Sequence, residues 1–306
     1  MSNKQSINVG KYIIELSNED KILFPKSKIT KGDLINYYDR IAPVMIPYVK
    51  DRPLTMRRFP DGIATEGFYQ KDIPDYFPSW IKSIAIKKSQ GGTTAYVLCN
   101  HDATLVYIAN QASIEQHIWL SRVSKLNYPD RMIFDLDPSG KASFTLVKWT
   151  AKTIKKLLDD LELTVFVMTT GSRGLHVVVP LKPVESYARV KNFAQEIAQY
   201  LVEQYPDKLT REIRKNKRGN RIFLDTLRND YGHHGVAPYS VRAKEGAPIA
   251  TPIEWNELVG LSSAQKFTIK NIFSRLSKKK DPWHIINKHT QTLTNARKKL
   301  KKIKGD

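Results

Sequence analysis

"TVFVMTTGSRGLHVVVPL", residues 164 to 181, decides how the second half of this chain folds. Two β-branched apolar runs, 164–170 and 175–181, are separated only by Gly171, Ser172, Arg173 and Gly174, which predicts two antiparallel strands joined at a tight connection. On the N-terminal side "RMIFDLD" (131–137) is a further strand, and the stretch after it sets Val147, Ala151, Ile154, Leu158 and Leu161 at helical spacing. On the C-terminal side Val190, Phe193, Ile197, Leu201 and Tyr205 share one face of a second helix that stops at Pro206, and "RIFLDTL" (221–227) is one more strand.

The resulting order, β-α-β-β-α-β, is the ferredoxin-like arrangement that RNA-recognition modules also use. In its usual form the first and third strands are central and the fourth lies beside the first. Asp135 and Asp137 then have Asp225 on one flank and His176 on the other, and side-chain alternation sends both aspartates to one face. Three converging carboxylates are the expectation, although the strand offset that would bring Asp225 level is not fixed by this pattern. The first 130 residues read as a second lobe. "KGDLINYYDRIAPVMIPYV" is expected to be a helix interrupted by Pro43, "TTAYVLCN" and "ATLVYIAN" strands, and "ASIEQHIWLSR" (112–122) a short helix or bend. After Leu227, "APYSVRAKEGAPIATPIEW" is loop-like and is followed by a helical stretch from about 262 and a Lys-rich tail.

Fifty Lys and Arg against 30 Asp and Glu leave a formal charge of +20 on 306 residues, a field that favours a polyanion, with nucleic acid as first candidate. No apolar stretch approaches the roughly 20 residues that span a bilayer, so no membrane partner is expected. The single Cys99 excludes an intrachain disulfide and a cysteine-built zinc site. With no export signal at the N-terminus, the expected location is the cytoplasm, in association with the nucleoid.

Why does so basic a chain gather acid at the end of a buried strand? Three carboxylates around one point repel unless cations neutralise them, and oxygen ligands suit Mn²⁺ or Mg²⁺, two ions of which are about 4 Å apart in polymerases and nucleases. The plainer reading of Asp135 and Asp137 is a turn opening before Pro138. "TTGSRGLH" (169–176) offers glycines for an anion-binding nest, the hydroxyls of Thr170 and Ser172, the Arg173 fork and then His176; its alternative is a simple Gly-rich hairpin. "REIRKNKRGNR" (211–221) suits phosphodiester binding or is a solvated basic loop. The aromatics of "EGFYQKDIPDYFPSW" (66–80) either stack on unpaired bases or anchor their loop to the core.

"FDLDP", "TTGSRGLHVVVPL", "RIFLDTLRND" and "APYSVRAKEGAPIATPIEW", in this order and spacing, resemble the polymerase domain of bacterial DNA ligase D, of the archaeo-eukaryotic primase superfamily, and "NEDKILFPKSKITKGDLINYYDRIAPVMIPYVKDRPLTMRRFPDG" resembles its N-terminal region. The resemblance implies an α+β fold, a two-lobed primase-polymerase with an RRM-like core, as one domain over 1–306. Its parts would be an N-terminal lobe for DNA-end binding (1–130), a catalytic core (131–245), and a C-terminal helical region with a basic tail (246–306). It further implies a template-dependent, manganese-favouring nucleotidyltransferase with two Mn²⁺ or Mg²⁺ ions, filling gaps and extending DNA ends in non-homologous end joining, with a preference for ribonucleotides. The implied partners are DNA ends or gapped DNA with a 5′-phosphate, NTP or dNTP, and Ku with a separate DNA ligase.

By the same resemblance Asp135, Asp137 and Asp225 match the metal-binding carboxylates, His176 and Arg242 triphosphate contacts, and His117 the histidine near the nucleotide sugar. Thr170 stands where serine is usual and Arg173 where lysine is common, and Ser172 belongs to the same loop. Asn18, Lys21 and Lys31 resemble the grip on a downstream 5′-phosphate, Phe68 and Tyr69 an aromatic pair that stacks on DNA, and Arg218 a loop residue that engages the template. No ligase or nuclease motif is found on this chain. A gap-filling polymerase of excision repair, a metal-dependent nuclease and a non-enzymatic nucleic-acid module are the rival readings.

Overall fold

The helix that Pro43 was expected to interrupt runs unbroken from Lys31 to Val49 (α1) in the computed structural model, which describes residues 5–88 and 91–305. Its inner face is buried through Leu34, Tyr37, Tyr38, Ile41, Met45 and Tyr48, while Pro43 and Pro47 both lie on the exposed face. Each proline removes the helical donor of the carbonyl four residues back, at Asp39 and Pro43, and the buried stripe holds the helix together. Thr30 caps it, accepting from the Asp33 N–H at 3.1 Å while Asp33 accepts from the Thr30 N–H at 2.9 Å.

α1 belongs to the first of two units, formed by residues up to Ser124 with His234–Ala250 and Phe267–Ser274. Its sheet uses β1 (Pro53–Arg58), β2 (Phe68–Gln70), β3 (Ser83–Lys87), β4 (Thr93–Leu98) and β5 (Ser113–Trp119). Two sequence expectations change here. "ATLVYIAN" is not a strand but part of helix α2 (Asp102–Asn110), buried on nearly every side, so its apolar residues show no helical stripe to read. The stretch expected to be a short helix or bend at 112–122 contains β5, all seven residues of which are buried, so it shows no alternation either.

The second unit comprises Lys125–His233, Thr251–Lys266 and the chain from Arg275 onward. It contains β6 (Arg131–Pro138), α3 (Phe144–Asp160), β7 (Phe166–Thr169), β8 (Leu175–Pro180), α4 (Tyr187–Gln204), β9 (Leu209–Thr210) and β10 (Ile222–Asp225). Ser143 and Ser186 cap α3 and α4 with their hydroxyls, and Val147, Ile154, Val190, Phe193 and Ile197 bury the helix faces read from the sequence. The chain then gives β11 (His234–Val236) to the first unit and β12 (Pro252–Ile253) to the second.

The sheet order in the second unit is β9-β10-β6-β8-β7-β12, so the predicted core with β6 and β8 central carries one short extra strand at each edge. In the first unit the order is β11-β5-β1-β4-β3, with β2 on β1. The division therefore departs from the boundaries drawn at 131–245 and 246–306: β11 pairs His234 with Trp119 and Val236 with His117, which ties this segment to β5. The helical stretch expected from about 262 starts later, at Ile272, because Ser263 and Asn271 side chains accept the N–H groups of Gln265 and Thr268 and favour turns. The basic tail forms a helix at Thr294–Lys304. Among the described residues no helix is long and apolar enough to cross a membrane.

Candidate active site

Within the second unit, the register of β6 puts Asp135 opposite Asp225 on β10 and opposite His176 on β8. The three residues form one row across three adjacent strands, on the face that alternation assigns to Asp135 and Asp137. Asp137 pairs with Phe223, one pleat further along, so two carboxylates meet directly and the third stands beside them. Burial raises the Asp225 carboxyl above its ordinary range and the facing Asp135 raises it further, against the lowering effects of Arg228, the Leu227 N–H and His176. His176 is buried, its Nε2 lies 3.5 Å from Asp135 Oδ1, and its Nδ1 has no hydrogen-bond partner.

Arginines hold the acids. Arg228 reaches Asp135 at 3.5 Å and Asp225 at 3.8 Å, while Arg173 and Arg218 grip the two oxygens of Asp137 at 3.0 and 3.2 Å. Next to Arg228, the fully buried Asn229 bonds β6 as another strand would: its Oδ1 accepts the Ile133 N–H at 2.8 Å and its Nδ2 donates to the Ile133 carbonyl at 2.7 Å. This fixes the turn that carries Arg228 against the strand that carries Asp135. Arg218, expected to engage a template, is buried: Nε donates to Glu212 O at 2.8 Å, Nη2 to Ile213 O at 2.8 Å, and the guanidinium stacks 3.8 Å from the Phe223 ring. Here it braces the basic loop and Asp137.

The β7–β8 connection is shaped from inside by Thr170. Its hydroxyl accepts the N–H groups of Ser172 and Gly174, both at 3.3 Å, and donates to Gly174 O at 3.0 Å. Two amides of the expected nest are thus turned inward, leaving the Ser172 side chain and Arg173 as the loop's outward groups. Gly171 has φ +64°, a left-handed conformation that suits glycine. Gly174 is needed for closeness instead: a Cβ there would lie 1.9 Å from the Leu136 carbonyl oxygen.

In the first unit, Asn18, Lys21 and Lys31 are joined through the backbone, the Lys21 N–H donating to Asn18 O at 3.0 Å and the Lys31 N–H to Lys21 O at 2.8 Å. Lys21 pairs with Asp61 at 2.7 Å. Lys31 is buried and donates to Ser17 Oγ at 2.9 Å and Asn110 O at 3.0 Å; burial lowers its ammonium from 10.5 to about 8. Phe68 and Tyr69 lie on β2, half exposed, opposite Arg58 and Arg57 in the register. His117 and Arg242 meet at Glu115, 3.0 Å from His117 Nε2 and 3.3 Å from Arg242 Nε. Sequence reading missed Glu115, Arg57, Arg228 and Asn229. An acid two residues before a histidine in "IEQHIW" shares its face in a strand, and that signal was lost with the misread strand.

Would these residues suit a divalent cation? As the side chains stand, no three acid, histidine or cysteine side chains among the described residues enclose a point closely enough to hold one, and Asp137 is paired with two arginines. The donor set nevertheless fits a hard cation: oxygen ligands, two of them face to face, with a carboxyl whose ionisation burial and like charge oppose. Asp135, Asp137 and Asp225 are the residues that would hold it.

The family model for the LigD primase-polymerase domain matches residues 30–283. The chain is 34% identical over 247 residues to the multifunctional non-homologous end joining protein LigD of Mycolicibacterium smegmatis, covering 80% of this chain and 32% of that protein. It is 30% identical over 271 residues to the bifunctional LigD of Bacillus subtilis, covering 88% and 43%. Among solved structures it is similar to the polymerase domain of Mycobacterium tuberculosis ligase D in complex with DNA, with TM-score 0.84, 29% identity, and coverage of 91% of this chain and 99% of that one. The chain thus spans less than half the length of these two curated relatives.

Proposed function

The chain belongs to the LigD primase-polymerase family, and from that premise we propose that it is a template-dependent nucleotidyltransferase that fills gaps and extends DNA ends in non-homologous end joining, with a preference for ribonucleotides. The observation that carries the reading is the row His176–Asp135–Asp225, level across three strands. A pure nucleic-acid module has no use for two facing acids that burial makes costly to ionise.

Mn²⁺ or Mg²⁺ held by Asp135, Asp137 and Asp225 would supply the positive charge that activates a primer hydroxyl and neutralises the reacting phosphate. The chain's own residues do the rest. Ser172, Arg173 and His176 meet the triphosphate, with the unpartnered Nδ1 of the buried His176 as a group such a ligand would satisfy. Arg228 counters the charge of Asp135 and Asp225, and Arg218 keeps Asp137 and the basic loop in place. In the first unit His117 and Arg242 keep the nucleotide role implied by the resemblance, Phe68 and Tyr69 the stacking role, and Asn18, Lys21 and Lys31 the 5′-phosphate role. Ku and a DNA ligase are the proposed partners.

Incubation of a gapped duplex bearing a downstream 5′-phosphate with NTPs and Mn²⁺ tests this directly. The expected product is a primer lengthened across the gap, lost on adding chelator; shortening of the DNA without nucleotide would identify a nuclease instead.

The Lys31 ammonium adds a pH signature. In the free protein it discharges as pH rises through about 8, and a phosphate dianion favours the charged form. Affinity for the 5′-phosphorylated gap relative to the 5′-hydroxyl gap therefore falls between pH 7 and pH 9, by up to about ten-fold. In Lys31→Gln the ratio is smaller at pH 7 and flat with pH, as fluorescence anisotropy at fixed ionic strength would show.

A further inference from the structure

We propose that Glu115 is a positioning residue for nucleotide binding, a buried carboxylate on β5 that aims His117 and Arg242; the inference rests on the reading of those two side chains as nucleotide contacts.

Among the described residues, the partners of the carboxylate lie in the same unit. Oε2 is 3.0 Å from His117 Nε2. Oε1 accepts the Ala243 N–H at 3.0 Å and lies 3.3 Å from Arg242 Nε and 3.4 Å from Arg57 Nη1. This convergence follows from the fold. Glu115 and His117 are two residues apart on one strand and so share a face, and the β1–β5 register places Arg57 directly opposite Glu115. Arg242 arrives on the segment after β11, which is stitched to the next residue of β5: Ala237 N–H donates to Gln116 O at 2.9 Å and Gln116 N–H to Ser240 Oγ at 2.7 Å. The bond from Ala243 to Glu115 fastens the far end of that segment, immediately beyond Arg242.

A carboxylate is an expensive choice for this position. β5 is buried along its whole length, and burial alone would drive Glu115 toward its neutral form; the hydrogen bond from His117, the Arg242 charge and the Ala243 N–H outweigh this and hold it well below the ordinary carboxylate range. An apolar side chain would fill the space without that desolvation cost. What the charge adds is orientation. It lies within ion-pair distance of Arg242 Nε, the nitrogen nearest the chain, and meets His117 through Nε2, so that in the neutral ring the Nε2 proton is the one donated and Nδ1 carries the lone pair. Arg57 and Arg242, whose like charges would otherwise repel, and His117 are held in place before the anion arrives.

The test uses Glu115→Gln in the full chain, with GTP binding followed by calorimetry in the presence of Mn²⁺. GTP is expected to bind roughly 10- to 30-fold more weakly, with kcat in gap filling changing much less than KM. Affinity for the gapped duplex stays within about two-fold. Ring ¹⁵N shifts of His117 move away from the single Nε2–H tautomer. Because Glu115 acts through its neighbours, Glu115→Gln costs less than about three-fold when introduced into Arg242→Gln. Unchanged GTP affinity in Glu115→Gln, or the same loss in both backgrounds, would overturn the assignment, as would an equal loss of DNA affinity. If Glu115→Gln unfolds, Glu115→Asp, which keeps the charge but shortens its reach, is put through the same cycle with the same criteria. Normal GTP binding by both His117→Gln and Arg242→Gln marks a different failure, that of the nucleotide reading itself.

Discussion

Gap filling by Asp135→Asn falls by at least about 10³-fold, and so does gap filling by Asp225→Asn, yet Asp225→Asn melts at a higher temperature than the unaltered chain near pH 7. The two halves of this expectation have one cause. Asp135 and Asp225 face each other across β6 and β10, and burial together with this opposition raises the Asp225 carboxyl. The folded chain therefore holds that proton more tightly than the unfolded chain does. The ionised form destabilises the fold at neutral pH, and the penalty fades as pH falls from the raised folded value toward the unfolded one. Asparagine keeps an oxygen that can accept the Leu227 N–H, now at 2.7 Å from Asp225 Oδ1, and removes the repulsion. Its advantage in melting temperature accordingly shrinks in acid. Calorimetric scans at several pH values, beside a primer-extension assay, check both halves; full activity in either variant would remove the row from the chemistry.

Gly174→Ala is the second large effect. The added methyl would sit 1.9 Å from Leu136 O and 3.0 Å from Leu136 C, backbone atoms of β6 that cannot step aside. The loop must lift, and with it the Arg173 that pairs with Asp137 and the Gly174 amide that closes on Thr170. Overpacking of this kind costs about 2–3 kcal/mol, and displacement of aligned groups by about 1 Å costs on the order of 10² in rate. Urea denaturation and the extension assay should show both. Gly171→Ala, where the difficulty is the +64° φ, is expected to be milder, by about 1 kcal/mol. Equal behaviour of the two variants would mean that contact with Leu136 is not what the second glycine provides.

Between Arg131 and Asp225 the main elements were legible because they show their own periods: alternation or β-branched runs for the strands, a clean stripe for α3 and α4. The strand order then followed from topology, and it put Asp225 and His176 on the correct sides of Asp135 before any register was known. Where burial is complete the signal vanishes. α2 and β5 are covered on almost every side, so an apolar helix looked like a strand and a buried strand like a bend. Losing β5 hid Glu115, whose partners come from residues 57, 117, 242 and 243, a meeting that no local pattern encodes. Arg218 and Thr170 show the converse. Both were singled out for contacts with a ligand, yet their polar atoms largely shape the loops that bear them, because a charged or hydroxyl side chain near a site can serve the backbone as readily as a ligand.

The chain crosses between its two units five times, at 124/125, 233/234, 250/251, 266/267 and 274/275. A protease nick or truncation that isolates the first 124 residues would therefore strip β11 from β5 and bare a hydrogen-bonding edge that ends in Ile118 and Trp119. Such a fragment should self-associate through that naked edge. Attempts to produce either half by itself are better served by grafting the returning segments back as a circularly permuted or spliced polypeptide than by trimming at a linear boundary.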